Sequence, residues 1–243
     1  TLSLAQYNPQ GDGNLEGILN NQFLKWESEY DVKIKSSDLS IRFGNIIEAV
    51  YEATGQQAVV LIDEYDSPII GNLEDPQKQE NHRELLESVY VNLKNLDSHI
   101  RFTMLTGVSR FSKMTVFSGL NNLMDISLNT DYSAICGITE DELYTYFQEG
   151  ILKFADEYDT DFNGAVSILK DNYDGYHFSR NCPDIYNPYS LLCSFFDGDI
   201  GSYWFQSGTP EFLVKKIRRS GSFLPKLFDG TVMSKTLSAT DIS

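Results

Sequence analysis

The most distinctive hydrophobic pattern in the chain is an unbroken apolar run that ends in acidic residues. Residues 58–62 read Ala-Val-Val-Leu-Ile, and Asp63, Glu64 and Asp66 follow almost at once. A short run rich in β-branched residues predicts a strand buried on both faces, as in a parallel sheet covered by helices. The pattern therefore predicts a buried strand whose carboxyl end carries adjacent carboxylates.

Periodic apolar positions predict helices before and after this strand. Residues 15–30 have helical spacing, and a second helix should begin after the N-cap candidate Asp38 and end at Gly55. A third apolar stripe lies within residues 86–96, and the apolar run 100–105 predicts another strand. A strand, a helix and a strand in this order form a βαβ unit, so we expect two central strands of a parallel sheet with helices on both faces.

The C-terminal part of the chain has a different character. Composition shifts near Cys136 toward aromatic and turn residues, and Thr139 and Glu142 have the spacing of a helix capping box. Apolar positions within residues 143–154 then predict a helix that starts a separate helical domain. The expected domains are an α/β core over residues 1–135 and a mainly helical lid over residues 136–243.

Composition narrows the range of functions. A net charge of −16 argues against a broad nucleic-acid surface, which needs clustered basic residues. No apolar run approaches the roughly 20 residues that cross a bilayer, and the first residues lack the pattern of a signal peptide. The three cysteines have no metal-binding spacing. We therefore expect a cytoplasmic protein that does not contact a membrane, and we do not expect this segment alone to bind nucleic acid.

The acidic residues after the first apolar strand are the main candidates for chemistry. An apolar strand that ends in Asp-Glu has the Walker B arrangement of P-loop ATPases, in which the Asp supports Mg²⁺ and the Glu orients the attacking water. Asp63 and Glu64 occupy these positions, although a solvated acidic turn has the same sequence pattern. Asp66 fits either a metal site or the N-cap of the turn at Ser67-Pro68, and we favour the N-cap.

Polar residues after the second strand add two further candidates. Thr106 follows the run 100–105 and should lie beside Asp63 if the two strands are neighbours. It would then act as a sensor of the γ-phosphate, or alternatively satisfy backbone groups at the strand end. Arg110 could stabilise a transition state as an arginine finger does, or pair with an acidic residue.

The phosphate-binding loop that normally accompanies Walker B is not recognisable in the chain. The Walker A pattern requires Gly before a Lys that precedes Ser or Thr. Lys35 and Lys235 are the two lysines followed by Ser or Thr, and neither has the required glycines. Residues 11–16, Gly-Asp-Gly-Asn-Leu-Glu, also fail the dinucleotide fingerprint because Glu replaces its third Gly.

The order of these motifs resembles that of a known family. The likeness spans about residues 40–217 and rests on eight segments. They are 60–66 (VLIDEYD), 105–113 (LTGVSRFSK), 117–123 (FSGLNNL), 125–128 (DISL), 136–139 (CGIT), 173–178 (YDGYHF), 186–190 (YNPYS) and 203–210 (YWFQSGTP). The chain is similar to the AAA-ATPase-like family that is common in Bacteroidetes and other anaerobes, whose members often carry a PD-(D/E)XK nuclease-like domain after the ATPase part.

The resemblance implies a P-loop NTPase-like fold that binds ATP and Mg²⁺. It places Asp63 and Glu64 as the Walker B pair and Thr106 at the sensor position. It also implies an Arg-rich loop of the form RPRRFGKS upstream of Thr1. We therefore expect the chain to be a truncated ATPase domain with impaired nucleotide binding.

Two alternatives stay open. The first is a degenerate, non-catalytic scaffold that binds a protein partner. The second is a metal-dependent hydrolase that uses Asp63, Glu64 and Asp66 directly. A Gly-Lys-Ser/Thr loop encoded shortly before Thr1 would favour the ATPase over the scaffold.

Overall fold

A computed structural model describes residues 1–9, 14–33, 35–108, 120, 122–178 and 182–203. These residues fall into two compact units, which divide between Met124 and Asp125. This division lies ahead of the composition change at Cys136 that the sequence offered as a boundary. None of the described helices combines the length and the apolar character that crossing a bilayer requires.

Helices separate the three short strands of the first unit, and the apolar stripe within residues 86–96 is divided between two of these helices. Its elements are β1 (Leu2–Ser3), α1 (Leu15–Glu29), α2 (Leu39–Thr54), β2 (Ala58–Asp63), α3 (Ser67–Ile70), α4 (Pro76–Tyr90), α5 (Asn92–Asn95) and β3 (Ile100–Leu105). The predicted ends of α2 are both observed. The Asp38 side chain accepts hydrogen bonds from the backbone N–H groups of Ser40 and Ile41, and Gly55 ends the helix in the left-handed conformation with a φ of 66°.

The three strands form one parallel sheet in the order β1-β2-β3. Ile62 of β2 lies opposite Leu2 of β1 on one side and opposite Leu105 of β3 on the other. The prediction that β2 is a central strand is therefore confirmed. Within the described residues β3 is an edge strand, so its predicted central position is not observed. Because all strands run in the same direction, their carboxyl ends share one edge of the sheet.

Helices bury one face of this sheet. Ile62 is 2% exposed and belongs to a core that also contains Leu19 and Phe23 of α1, Ile47 of α2 and Leu86 of α4. Side chains alternate between faces along a strand, so Val59 and Leu61 point to the opposite face. Val59 is 56% exposed, and Phe102, its partner in β3, is 52% exposed. The apolar run predicts burial on both faces, but the described helices cover only one.

The second unit is helical in its described part. Its helices are α6 (Glu140–Tyr146), α7 (Gln148–Glu157), α8 (Phe162–Tyr173) and α9 (Pro188–Asp197). The predicted capping box is present, because Thr139 caps α6 and the Glu142 side chain accepts from the Thr139 backbone N–H. The single helix predicted across residues 143–154 is instead two helices that meet at Phe147, which is the C-cap of α6 and the N-cap of α7.

A buried ion pair joins α1 to α2. The Arg42 guanidinium donates from Nε and Nη2 to the two carboxylate oxygens of Glu27, each at 2.7 Å. Its Nη1 donates to Asn20 Oδ1. The two charged side chains are only 6% and 2% exposed. This bidentate geometry satisfies both groups, and loss of either partner would leave a buried charge uncompensated.

We expect Arg42→Ala or Glu27→Ala to lower the free energy of unfolding by about 3–5 kcal/mol. Removal of both charges at once, in Arg42→Met with Glu27→Leu, should cost much less than the sum of the two single losses. Urea unfolding followed by circular dichroism measures these differences. Arg83→Ala is the control, because Arg83 pairs with Glu80 and Glu87 at the surface and should contribute less than about 1 kcal/mol. Equal losses at Arg42 and Arg83 would contradict the assignment.

Candidate active site

The site lies where β2 and β3 end. Asp63 is the last residue of β2, and Thr106 follows the last residue of β3. The Thr106 hydroxyl donates a hydrogen bond of 2.6 Å to Asp63 Oδ1. The Thr106 backbone N–H also donates to the carbonyl of Ile62 at 2.9 Å, which continues the pairing of the two strands. Two residues that sequence reasoning placed at one sheet edge are thus in direct contact.

A second hydroxyl reaches Asp63 from the other neighbouring strand. Ser3 lies opposite Asp63 in the parallel register, and its Oγ donates to Asp63 Oδ2 at 3.4 Å. The same Oγ accepts from the Ala5 backbone N–H at 3.4 Å. Sequence reasoning missed Ser3. The signal that could have found it is the alternating segment Leu2-Ser3-Leu4, which places Ser3 beside the end of β2 once this segment pairs with β2 in parallel.

Glu64 has an unusual backbone conformation. Its φ of 51° lies in the left-handed region, which residues other than glycine rarely adopt. The neighbouring backbone holds it there, because the Tyr65 N–H donates to the Thr106 carbonyl at 3.0 Å and the Ser67 N–H donates to the Glu64 carbonyl at 3.0 Å. Strain of this kind is concentrated at functional sites.

The Glu64 carboxyl group also has a perturbed acidity. Partial burial raises its pKa above the ordinary value of 4.5, and the negative charges of Asp63 and Asp66 raise it further. A carboxylate with a raised pKa is a stronger base than a carboxylate with the ordinary pKa. Glu64 is therefore better suited to accept a hydrogen bond or a proton from water.

Asp66 does not have the side-chain role that the sequence suggested. It occupies the N-cap position of α3, but its carboxylate makes no capping hydrogen bond. The reason is local, since Pro68 has no N–H and the Ile69 N–H donates to the Asp66 backbone carbonyl at 3.0 Å. Instead Asp66 is fully buried, and its Oδ1 accepts from the Val108 backbone N–H at 3.2 Å. The N-cap interpretation of this side chain is wrong.

Gly107 fits tightly between these groups. A Cβ atom at this position would lie 2.5 Å from Asp66 Oδ1 and 2.7 Å from the Tyr65 ring. The backbone after β3 therefore approaches the corner after β2 more closely than any residue with a side chain allows. We call Asp63, Glu64 and Asp66 the acidic corner, and residues 106–108 the β3 loop.

Carboxylate and hydroxyl oxygens, which are among the ligand types that Mg²⁺ takes, meet at this edge of the sheet. Within the described ranges, no group of three or more His, Cys, Asp or Glu residues is arranged to hold a metal ion. Mg²⁺ in phosphate-transfer sites commonly takes one or two protein carboxylates together with waters and substrate phosphates. Asp63, held by hydroxyls on both sides, has the chemistry of such a ligand. Arg110, the remaining candidate, lies outside the described residues.

The fold and the site together define an α/β protein with a parallel sheet and an acidic site at the carboxyl ends of its strands. Residues 1–117 match the family model AAA-ATPase-like, which is described as a predicted AAA-ATPase. Over these residues the chain is similar to the AAA-ATPase-like family. The match includes β1, β2 and β3 and therefore the acidic corner.

A longer relative aligns with most of the chain. The chain is 36% identical over 230 residues to a protein of Azotobacter chroococcum mcd 1, described as an uncharacterized protein in the vnfD 5′ region. The aligned part is 94% of this chain but 42% of the relative, so the chain spans less than half of that protein's length. No solved structure gives a significant match to the chain.

The raised pKa of Glu64 predicts how stability changes with pH. In the range between the ordinary value of 4.5 and the raised value, the folded state binds more protons than the unfolded state, so stability falls as pH rises. Glu64→Gln removes this penalty. We expect the variant to be more stable than the wild type at neutral pH, with the difference closing as pH falls below about 4.5. Thermal unfolding measured from pH 4 to pH 8 tests this.

Glu142→Gln should change the stability at neutral pH in the opposite direction to Glu64→Gln. Hydrogen bonds from Thr139 lower the pKa of Glu142, so its contribution to stability is present above the ordinary value of 4.5 and is lost as pH falls through the lowered pKa. This variant should therefore be less stable than the wild type at neutral pH. The same sign for both variants would contradict the environment described for Glu64.

A side chain at position 107 should disturb the site. Gly107→Ala forces either the Asp66 carboxylate or the Tyr65 ring to move, and we expect a loss of about 1–3 kcal/mol in unfolding free energy. Amide NMR signals of Thr106 and Val108 should shift with it. Gly55→Ala is the control, because Gly55 has a φ of 66° but no atom within 4 Å of the added Cβ. That variant should lose unfolding free energy only through backbone strain, and the NMR signals of the β3 loop should stay unchanged.

Proposed function

We propose that the chain provides the Walker B and sensor part of an ATP-hydrolysing domain. The observation that carries the proposal is the 2.6 Å hydrogen bond from Thr106 to Asp63, at the carboxyl edge of a parallel sheet and directly beside Glu64. Ligands of open α/β sheets bind at this edge. The family match over residues 1–117 supports the same reaction class.

Each residue has a distinct role in this proposal. Asp63 would support Mg²⁺, and the hydroxyls of Ser3 and Thr106 fix the direction of its carboxylate. Mg²⁺, when bound with nucleotide, neutralises charge on the phosphates. Glu64 orients the water that attacks the γ-phosphate, and its raised pKa favours this role. Thr106 senses the γ-phosphate or the attacking water, and Arg110 contributes positive charge in the transition state.

The groups that grip the phosphates would come from polypeptide outside these 243 residues. A Walker A loop supplies backbone N–H groups and a lysine to the β- and γ-phosphates. The acidic corner cannot replace them, since three carboxylates repel a polyphosphate. We further propose that the helical second unit acts as the lid of the complete domain, as the family resemblance implies.

The two alternatives receive less support. A metal-dependent hydrolase that works without nucleotide would need further ligands around the acidic corner, and the described residues contain no group of three metal-binding side chains. A scaffold without catalysis would make no use of the raised pKa of Glu64. An exposed apolar sheet face that includes Val59 and Phe102 is the observation that favours a binding role for a protein partner.

The 243-residue chain should bind Mg²⁺-ATP no more tightly than the millimolar range, about −4 kcal/mol. It should also hydrolyse ATP negligibly, because the phosphate-gripping loop is missing from it. Isothermal titration calorimetry and a phosphate-release assay measure both properties. Micromolar binding by this chain would overturn the assignment of phosphate binding to another segment.

Glu64→Gln tests the catalytic role itself. In a protein that also includes a Gly-Lys-Ser/Thr loop upstream of Thr1, this variant should bind ATP like the wild type and lose turnover by a factor of about 100 or more. Glu84→Gln on the exposed side of α4 is a matched control and should hydrolyse ATP at the wild-type rate. Wild-type turnover in Glu64→Gln would contradict the proposed role. The absence of ATP hydrolysis in the extended wild type would favour the scaffold.

A further inference from the structure

The buried carboxylate of Asp66 is a feature that the proposed reaction does not use. Asp66 is 0% exposed, whereas Asp63 at the same corner is exposed. A carboxylate loses its hydration when it is buried, so it needs hydrogen bonds in return. Its Oδ1 accepts from the Val108 N–H, a residue 42 positions away in the sequence. The bond therefore joins the corner after β2 to the loop after β3.

The β3 loop is held against the corner at successive points. The Thr106 N–H donates to the Ile62 carbonyl at 2.9 Å, and the Tyr65 N–H donates to the Thr106 carbonyl at 3.0 Å. Both bonds lie at or before Thr106. The Asp66 contact comes two residues later, at Val108, and Gly107 between them leaves no room for a side chain. Asp66 thus fixes the loop on the far side of Thr106.

This geometry connects Asp66 to the contact that defines the site. The Thr106 hydroxyl reaches Asp63 only if the loop backbone keeps its position, because a hydrogen bond of 2.6 Å tolerates little displacement. A hydrogen bond in low-dielectric surroundings is stronger than the same bond in water. A buried carboxylate is therefore an effective anchor for a backbone N–H in an otherwise exposed loop.

We propose that Asp66 is a positioning residue, which holds the Val108 N–H and thereby keeps the Thr106 hydroxyl on Asp63. Its effect on catalysis rests on the proposed ATPase function, but the anchoring of the loop does not. Asp66 contacts neither nucleotide nor water in this role and acts through Thr106.

The anchoring can be tested in the 243-residue chain without nucleotide. Long-range NMR coupling across the hydrogen bond should connect the Val108 amide nitrogen with the Asp66 carboxyl carbon in the wild type. Asp66→Ala should speed amide hydrogen exchange at Val108 by about 10-fold to 100-fold and shift the Thr106 signals. Asp66→Asn keeps an acceptor oxygen without the charge, and exchange at Val108 should stay within about threefold of the wild type.

Asp75 offers a matched control for the same kind of bond. Asp75 Oδ1 accepts from the Lys78 N–H at 3.0 Å at the exposed start of α4. Asp75→Ala should speed exchange at Lys78 and leave Val108 and Thr106 unchanged. The absence of the coupling in the wild type would overturn the proposal even if Asp66→Ala did not fold. Wild-type protection of Val108 in a folded Asp66→Ala variant would overturn it too.

The catalytic consequence needs a protein that hydrolyses ATP. There Asp66→Ala should lower kcat at least 10-fold while KM for ATP changes by less than about threefold, and Asp66→Asn should restore most of kcat. A role confined to folding would not give this division between kcat and KM in the folded variant. Wild-type kcat in Asp66→Ala would contradict the positioning role. If the wild type itself hydrolyses no ATP, the ATPase proposal fails, and the NMR experiment still decides whether Asp66 anchors the loop.

Discussion

The parallel pairing of β2 with β3 is the constraint on which the site depends. Both strands run in the same direction, with Ile62 opposite Leu105, so the next residue of each segment, Asp63 or Thr106, lies at the same edge of the sheet. Asp63 and Thr106 meet there because of this register, and a shift of one residue would turn one of them to the opposite face. β1 pairs with the other side of β2, and the core helices pack against one face of the sheet. The core thus sets the geometry of a polar contact that lies outside it.

The site contains features that oppose stability. Glu64 has a left-handed backbone, burial and neighbouring charges raise the pKa of its carboxyl group, and the carboxylate of Asp66, two residues later, is buried. Each of these features has a cost in stability. Their concentration within four residues, directly after the best-defined strand, is the physical reason to regard this corner as functional. Helix α2, with a regular cap at each end, has no comparable feature.

Sequence reasoning identified the parts of the site that depend on local pattern. The run before Asp63 has an apolar composition that defines β2, and the strand before Thr106 is equally clear. Ser3 was missed because a strand of two residues has no measurable period. The role of Asp66 could not be predicted either, because its hydrogen-bond partner Val108 is distant in sequence. The alternative role, a side-chain N-cap of α3, fails because Pro68 has no N–H and the Ile69 N–H donates to the Asp66 backbone carbonyl instead. The break at Phe147 is likewise invisible in an apolar spacing that continues across it.

The exposed face of the sheet has a consequence for how the chain behaves as a colloid. Val59 and Phe102 present apolar surface beside β3, which is an edge strand within the described residues. Such a surface promotes association between copies. The net charge of −16 acts against it, because like-charged molecules repel over the Debye length. Salt screens the repulsion and leaves the apolar attraction intact, so these 243 residues should be most dispersed in dilute buffer and should associate as ionic strength rises.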